Sequence, residues 1–333
     1  MKKRYLIVVG LLAIFGMLLA ACQPTAEPAS QTDEREEELY GMVVFLKGSE
    51  FFNWAYKGMV DAAAAIGPHV KTELQGPAEW DASLEARAID ELVARGAKGI
   101  LATAGDATAM DSSINAAIAE GIPVVLFDSD APASDRIVFV STNQYSAGYA
   151  AGRDMAEWGV TKVAISTFVG PSHLQLRVDG FTDALNEFSP DTEIVQIVND
   201  EGKVEVAEAQ LTAALEANPD IDGIFASHGN PGPGAAAAVR NTGLEGQVQI
   251  MGFDFGLPVI ELIESGEIKA TVAQNPYLMG YTAMLIAYGA AHPTEVESTN
   301  PNGIGHSVNA NIDTGVDILY ADGIEMYKTP PDF

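Results

Sequence analysis

The chain has 333 residues, of which 47% are hydrophobic and 19% are charged, and its formal net charge is −28. This length supports about two domains with full cores, and the apolar content excludes a mainly disordered protein. A single cysteine excludes a disulfide scaffold and a cysteine-based zinc site, and the acidic balance disfavours nucleic acid as a partner.

The first 21 residues are typical of a secretory signal peptide. Lys2, Lys3 and Arg4 form a basic start, and an uncharged apolar run follows over residues 5–20. The run is shorter than the ~20 apolar residues of a transmembrane helix, so a short membrane anchor is the alternative. Residues 22–39 are rich in acidic residues, and we expect a solvated, disordered tether there.

From residue 40 onward, short apolar strands alternate with helices. The predicted strands cover residues 41–46, 70–74, 99–102, 124–127, 162–166, 193–198, 223–226 and 248–253. The predicted helices cover residues 53–66, 82–94, 145–158, 176–188, 204–217, 234–241 and 277–291, with one more that ends at Gly121. Strands that are apolar throughout and alternate with helices indicate parallel sheets covered on both faces. The number of units predicts an α/β fold with two doubly wound parallel-sheet lobes.

The residues that follow each strand are the candidates for a ligand site, because ligands of such sheets bind beyond the carboxyl ends of the strands. These positions are rich in aromatic, carboxylate and amide side chains. Aromatic rings suit the apolar faces of a sugar, and planar carboxylate, amide and guanidinium groups suit its hydroxyls. The residues that supply these groups are Phe51, Phe52, Asp106, Asp128, Asn143, Arg177, Asp254 and Gln274.

Several of these candidates have structural alternatives. Asp106 and Asp128 could cap the helices that follow them, and Arg177 could be a surface helix residue. Of the two adjacent phenylalanines, we expect one in the core and one at the ligand. Two further candidates, His228 and Asn230, follow another strand, and the sequence leaves open which of them faces the ligand.

Five short motifs at these positions resemble those of a known family. They are Ser49-Glu50-Phe51-Phe52, with Ser and Glu in place of Asn and Pro, Asp128-Ser129-Asp130, Arg177-x-x-Gly180-Phe181, Gly252-Phe253-Asp254 and Ala273-Gln274-Asn275-Pro276. Through them the chain resembles periplasmic sugar-binding proteins of the ribose/galactose type, the substrate-binding components of ABC importers. The second motif lacks the Arg that ribose binders have there, which disfavours ribose. Leu19-Ala20-Ala21-Cys22 likewise resembles the lipobox of bacterial lipoproteins, whose cysteine is acylated after cleavage.

The resemblance implies the type I periplasmic binding protein fold, in which a three-strand hinge joins two lobes. The expected segments are a first lobe of residues 40–142 plus 275–300 and a second lobe of residues 143–274 plus 301–333. The expected crossings lie near Asn143, near Gln274 and within residues 293–302.

The resemblance also implies a ligand site built from both lobes. Its expected members are Lys47, Ser49, Phe51, Phe52, Asp106, Asp128, Asn143, Arg177, His228, Asn230, Asp254 and Gln274. Some relatives that bind linear or deoxy sugars, or autoinducer-2, have a lysine at the position of Lys47. The three aspartates outnumber Lys47 and Arg177, so a neutral sugar or polyol is favoured over a phosphate or a sugar acid.

The expected protein is a monomeric, extracytoplasmic lipoprotein that is not an enzyme and needs no cofactor or metal. Its expected partners are a sugar or polyol, an ABC transporter permease and a membrane reached through acylated Cys22. A protein that presents a sugar or an autoinducer-2-like ligand to a chemoreceptor or sensor is the alternative, because it would use the same cleft.

An NAD-dependent oxidoreductase is a weaker alternative. Gly232-Pro233-Gly234 and Ala237 match the dinucleotide fingerprint after a strand, with Asp254 after the next strand. Pro233, however, lacks an N–H group that a pyrophosphate could use. We find no nucleophile elbow, P-loop or zinc-protease motif that would indicate another enzyme.

Overall fold

The computed structural model describes residues 35–293 and 310–333. The predicted signal peptide, Cys22 and most of the predicted tether lie outside these residues. The described part of the chain forms two six-stranded sheets with helices on both faces, which confirms the predicted fold class. Within residues 35–293 and 310–333, no helix is both long enough and apolar enough to cross a membrane.

The first lobe contains an all-parallel sheet of strand order β11-β5-β4-β3-β1-β2. Its strands are β1 (Glu38–Val43), β2 (Val70–Gln75), β3 (Gly99–Ala102), β4 (Val124–Phe127), β5 (Val138–Ser141) and β11 (Asn311–Asp313). Its helices are α1 (Glu50–Ile66), α2 (Ala82–Ala94), α3 (Ala107–Ala119) and α9 (Pro276–Ala291). Side chains alternate along the strands, so α1 and α9 close one face of the sheet and α2 and α3 close the other.

The second lobe repeats this plan with strand order β12-β10-β9-β8-β6-β7. Its strands are β6 (Lys162–Thr167), β7 (Glu193–Asn199), β8 (Gly223–Ala226), β9 (Gln249–Phe253), β10 (Ala270–Gln274) and β12 (Val316–Leu319). Its helices are α4 (Gln144–Glu157), α5 (Ser172–Phe188), α6 (Val204–Ala217), α7 (Pro231–Thr242) and α8 (Leu257–Glu264), and a 3-10 helix follows at Glu325–Lys328. Strand β12 is antiparallel to β10 and closes that edge of the sheet.

Within residues 35–293 and 310–333, the chain passes between the lobes after β5, after β10 and between β11 and β12. The first two crossings follow β5 and β10, close to the expected Asn143 and Gln274. The third expected position was wrong, because β11 pairs with β5 in the first lobe and the crossing falls at Thr314 and Gly315. Residues 311–313 therefore do not belong to the second lobe. Strand β11 has the sequence Asn311-Ile312-Asp313, which contains no apolar run that predicts a strand, and its side chains are mostly exposed.

Strand β1 (Glu38–Val43) begins and ends earlier than the strand predicted over residues 41–46. Glu38 and Leu39 belong to β1, not to the tether, and His292 lies 3.0 Å from the Glu38 carboxylate that opens the strand. The ladder ends after Val43, because the N–H of Phe45 donates to the Thr103 side chain and not to a strand. Phe45 thus leaves the sheet at its carboxyl end.

Each of the first two crossings leads into a helix that is held very closely against its new lobe. Helix α4 packs on α5 through Gly148, where a Cβ atom would collide with the carbonyl oxygen of Arg177. Helix α9 packs on α1 in the same way through Gly280. Both contacts carry the same polar pair, since Tyr145 donates to Asp183 (2.8 Å) and Tyr277 donates to Asp61 (3.0 Å).

We expect Gly148→Ala to lower the free energy of unfolding by about 1–3 kcal/mol, because the added methyl must push two packed helices apart. Ser146→Ala, at an exposed position of the same helix, is the matched control and should change stability little. Chemical denaturation of both variants measures the difference. Equal stability of the two would show that the helices can separate at no cost.

Candidate ligand-binding cleft

Strands β4 and β9 occupy equivalent places in the two sheets, and each is followed by an aspartate. Asp128 and Asp254 both adopt the left-handed conformation with φ of 62°, which non-glycine residues rarely adopt. Each still donates its N–H to the next strand, to Val140 O (3.1 Å) and to Val272 O (2.8 Å). The backbone turns away from the sheet at these residues, and both side chains line the space between the lobes.

The space between the lobes forms a cleft with two adjacent compartments, and Phe45 and Asp128 line both of them. The phenylalanine compartment, of about 580 Å³, includes Phe45, Phe51, Phe52, Asp128, Asn230, Asp254, Phe255 and Gln274 in its lining. The arginine compartment, of about 600 Å³, includes Phe45, Trp80, Asp128, Ser129, Gln144 and Arg177. Both lobes contribute to each compartment, so the cleft is a site of the whole fold.

A cluster of phenylalanines forms the apolar wall of the first lobe. The ring of Phe52 is buried and packs edge-to-face against Phe45 (4.8 Å), Phe51 (5.4 Å) and Phe127 (6.2 Å). Phe51 is only half-buried and remains open to the cleft. Phe52 is therefore a core residue whose ring also reaches the lining of the compartment, and contact between Phe51 and a ligand stays a prediction.

The buried carboxyl group of Glu85 stabilises the cleft wall of the first lobe through hydrogen bonds. The Thr103 hydroxyl donates to Oε1 (2.5 Å), the Gly105 N–H donates to Oε2 (3.1 Å), and the Phe45 N–H donates to Thr103 (3.0 Å). Burial raises the pKa of Glu85 to about 7. This network holds the Phe45 backbone and the loop after β3 in place. The sequence predicts only that Glu85 lies in a helix and does not indicate this role.

Arg177 supplies a fixed positive charge from the second lobe. Its Nε donates to the Gln144 side chain (2.7 Å), an Nη donates to the Ser227 carbonyl (2.9 Å), and the guanidinium lies over the Phe253 ring at 3.7 Å. Burial lowers its pKa to about 10, while the carboxylates in the cleft act in the opposite direction. The side chain therefore remains protonated at neutral pH, and its surface alternative is wrong.

The two aspartates differ in their surroundings. Burial, and next the charge of Asp254, raise the pKa of Asp128 to about 7, and the charge of Arg177 only partly offsets this. Asp254 instead accepts a hydrogen bond from Gln274 Nε2 at 2.9 Å. The other amide atom, Gln274 Oε1, is buried without a donor anywhere in the described residues. A buried acceptor of this kind costs free energy unless a ligand donates to it.

Other expected site residues lie away from both compartments. Asp106 and Asn143 are exposed and cap α3 and α4, where they accept from the N–H groups of Ala109 and Ser146 at 3.0 Å each. Lys47 is exposed on the loop after β1. The helix-capping alternative thus describes Asp106 but not Asp128, which no helix follows directly.

The remaining candidates follow β8 or precede α1. His228 directs Nε2 to the buried Asp200 (3.0 Å), whereas Asn230 lines the phenylalanine compartment and donates to the Gly202 carbonyl at 2.8 Å. Of this pair, Asn230 is the one at the cleft. Ser49 also lines the same compartment.

The dinucleotide fingerprint does not form a phosphate-binding loop. Gly232 and Gly234 lie inside α7, which begins at Pro231, and both are buried. A Cβ atom on Gly234 would lie 2.6 Å from the Val204 carbonyl oxygen. Gly234 thus allows α7 to pack closely on α6, and the glycine pattern lies within a packed helix.

Sequence reasoning missed Phe45, Gln144 and Phe255 as cleft residues. Phe45 was assigned to the interior of β1, and Gln144 opens α4 directly after the expected Asn143. Phe255 could have been found from its position beside Asp254, because residues next to an exposed strand end share the same edge of the sheet.

We expect Asp128→Asn to stabilise the ligand-free protein at pH 8. The folded-state pKa of about 7 lies above the ordinary 3.8, so the folded chain holds a proton that the unfolded chain releases between these values. The stability of the wild type should therefore fall as the pH rises from 4 to 7. At pH 8 the variant should be more stable by about 1–2 kcal/mol, and at pH 4 the two should coincide.

Thermal unfolding across this pH range provides the measurement, with the exposed Asp135→Asn as the control. A variant that is no more stable than the wild type at pH 8 would show that the ionised carboxylate carries no burial penalty.

Comparison with known proteins agrees with this architecture. A family model described as a periplasmic binding protein domain matches residues 40–292. The ribose import binding protein RbsB of Bacillus subtilis (strain 168) is 25% identical over 306 residues, which are 89% of this chain and 96% of that protein. The structure of AraP, an arabinose binding protein from Geobacillus stearothermophilus, superposes with a TM-score of 0.83 at 32% identity and covers 88% of this chain and 100% of AraP. GanP, a glucose-galactose binding protein from the same species, gives a TM-score of 0.71 at 26% identity over 87% of this chain and 100% of its own. The chain therefore belongs to the periplasmic binding protein domain family and has the two-lobed type I fold of sugar-binding substrate-binding proteins of ABC importers.

Proposed function

We propose that this chain is an extracytoplasmic lipoprotein that captures a neutral sugar or polyol between its lobes and delivers it to an ABC importer. The observation that carries the proposal is the phenylalanine compartment, where aromatic rings stand beside acceptor groups from both lobes. Asp128 comes from the first lobe, and Asp254 and Gln274 come from the second. Sugar hydroxyls would donate to these oxygens, and the apolar face of the sugar would cover the rings.

The charges in the cleft support an uncharged ligand. The charge of Asp254 raises the pKa of Asp128, and Arg177 supplies one opposing charge. A phosphate or a sugar acid would meet these carboxylates without enough cations to balance them. The hydroxyls of a polyol donate hydrogen bonds and add no charge.

Binding between lobes gives a simple mechanism for capture. A ligand that contacts both walls binds the closed arrangement more tightly than the open one, and this difference in affinity drives closure. The closed form then differs in shape from the open form, which is what an importer would recognise. The proposed role is binding and delivery, without chemical conversion of the ligand.

We expect Asp254→Ala to weaken sugar binding at least tenfold, because the ligand hydroxyls lose a carboxylate acceptor and Gln274 loses its partner. Isothermal titration with D-ribose, L-arabinose, D-galactose and D-glucose, after a thermal-shift screen, identifies the sugar and measures the change. Asp220→Ala, an exposed site, is the control and should bind like the wild type. If no sugar or polyol binds, or if a bound sugar is converted, the proposed function is wrong.

The lipid anchor is a separate part of the proposal and rests on the residues around Cys22. Cys22→Ala should prevent acylation and leave unprocessed precursor or release soluble protein. Membrane fractionation with metabolic labelling by a fatty acid tests this. A Cys22→Ala chain that is still processed and labelled in the membrane fraction would exclude the anchor.

A further inference from the structure

One hydrogen bond joins the two lobes directly beside the phenylalanine compartment. Glu50, in the first turn of α1, accepts from the backbone N–H of Leu257, the first residue of α8, with an Oε2–N distance of 3.0 Å. The two residues are 207 positions apart and belong to different lobes. Both partners therefore lie on surfaces that must separate when the cleft opens.

The N–H of Leu257 is the donor that the first turn of α8 offers to the facing lobe. Pro258 has no N–H, and the next two N–H groups of α8, those of Val259 and Ile260, already donate to the Gly256 carbonyl at 2.8 and 3.1 Å. Helix starts leave such donors unpaired and carry partial positive charge. A carboxylate from the facing lobe satisfies both conditions, so Glu50 suits this position better than a neutral acceptor.

The bond also connects the parts of the cleft wall that would enclose a ligand. Glu50 precedes Phe51 on the first lobe, and Leu257 follows Asp254 and Phe255 on the second. Glu50, Phe51 and Asp254 all line the phenylalanine compartment, so a ligand between Phe51 and Asp254 would lie close to the bond. Opening of the lobes at this point has to break it.

Ring contacts lie beside this bond on the same helix. Trp54 contacts Tyr327 of the 3-10 helix at 5.9 Å, and that ring in turn packs on Phe255 at 4.6 Å. Trp54 also packs against the core of the second lobe. The first turns of α1 therefore concentrate contacts that exist only while the lobes are close together.

We propose that Glu50 is a positioning residue that latches α8 to α1 and so stabilises the closed, ligand-retaining arrangement of the lobes. The inference rests on the proposed function, because it assigns the latch to the same cleft. Its effect is on retention: loss of the latch speeds ligand release, while the groups that contact the ligand stay in place.

A backbone substitution separates the latch from any direct contact between Glu50 and the ligand. Leu257→Pro removes the donor and leaves Glu50 intact, and proline is well tolerated at the first position of a helix. Gly256 has φ of −54° and ψ of 149°, a conformation that a following proline favours. Leu257→Ala is the matched control, since it trims the side chain and keeps the N–H.

The experiment measures dissociation constants and release rates for the sugar that gives the largest thermal shift among ribose, arabinose, galactose and glucose. Glu50→Ala and Leu257→Pro should each weaken binding about three- to tenfold, mainly through faster release. Glu50→Gln, which keeps an acceptor, and Leu257→Ala should change it less. The double variant should be no weaker than either single variant, because both remove one bond.

The inference is overturned if Leu257→Pro binds like Leu257→Ala, or if the effects of Glu50→Ala and Leu257→Pro multiply. If Leu257→Pro does not fold, small-angle scattering of the ligand-free Glu50→Ala and Glu50→Gln proteins decides, since only the alanine variant should be more open. This arm also separates the two proposals. A wild type that binds no sugar contradicts the proposed function, whereas equal scattering of the two variants contradicts the latch.

Discussion

The site depends on one buried charge, that of Arg177, and on the two aspartates that face it from different lobes. A guanidinium out of water is stable only with partners, and here the Gln144 side chain, the Ser227 carbonyl and the Phe253 ring surround it. The same charge limits the repulsion between the two aspartates. The guanidinium favours the ionised form of Asp128, against the burial and the neighbouring charge that raise its pKa.

The helix crossing at Gly148 places this charge. A close approach of α4 at Gly148 meets the backbone of Arg177 itself, so the packing of the first crossing sets the position of the guanidinium. The equivalent crossing at Gly280 meets α1 at Ala55, one turn after the phenylalanines of the cleft wall. Each entry of the chain into a lobe thus also aligns one wall of the cleft. Hinge and site are parts of one packing arrangement.

Much of the fold could be predicted because its inner strands are apolar throughout and its helices end at clear signals. The bounds of β3, β4, β8, α2 and α6 agree with the expected ones. Strand β11 could not be predicted, since three mostly exposed residues are held only by pairing with β5. Residues whose neighbours in space are distant in the chain are the ones that a local pattern cannot place.

The candidate site could be predicted in part for a related reason. Asp106 and Asp128 both follow a strand, but Asp106 has an extended φ of −132° and caps a helix, whereas Asp128 has a positive φ. Asp128 follows β4 directly, whereas Asp106 lies between the end of β3 and the first residue of α3, so the residue type is the same but the backbone around it differs. Which of the cleft residues bind the ligand stays a prediction.

The order of segments in the first lobe has a consequence for how the chain folds. Helix α9 and strand β11, which complete the sheet of the first lobe, follow the second lobe in the chain. Their contacts with α1 and β5 have very large sequence separation, and such contacts slow folding. During synthesis, α1 alone covers one face of the first lobe's sheet until α9 has been made after β10 of the second lobe. A fragment that ends at the first crossing would therefore lack α9, one of the two helices that cover this face.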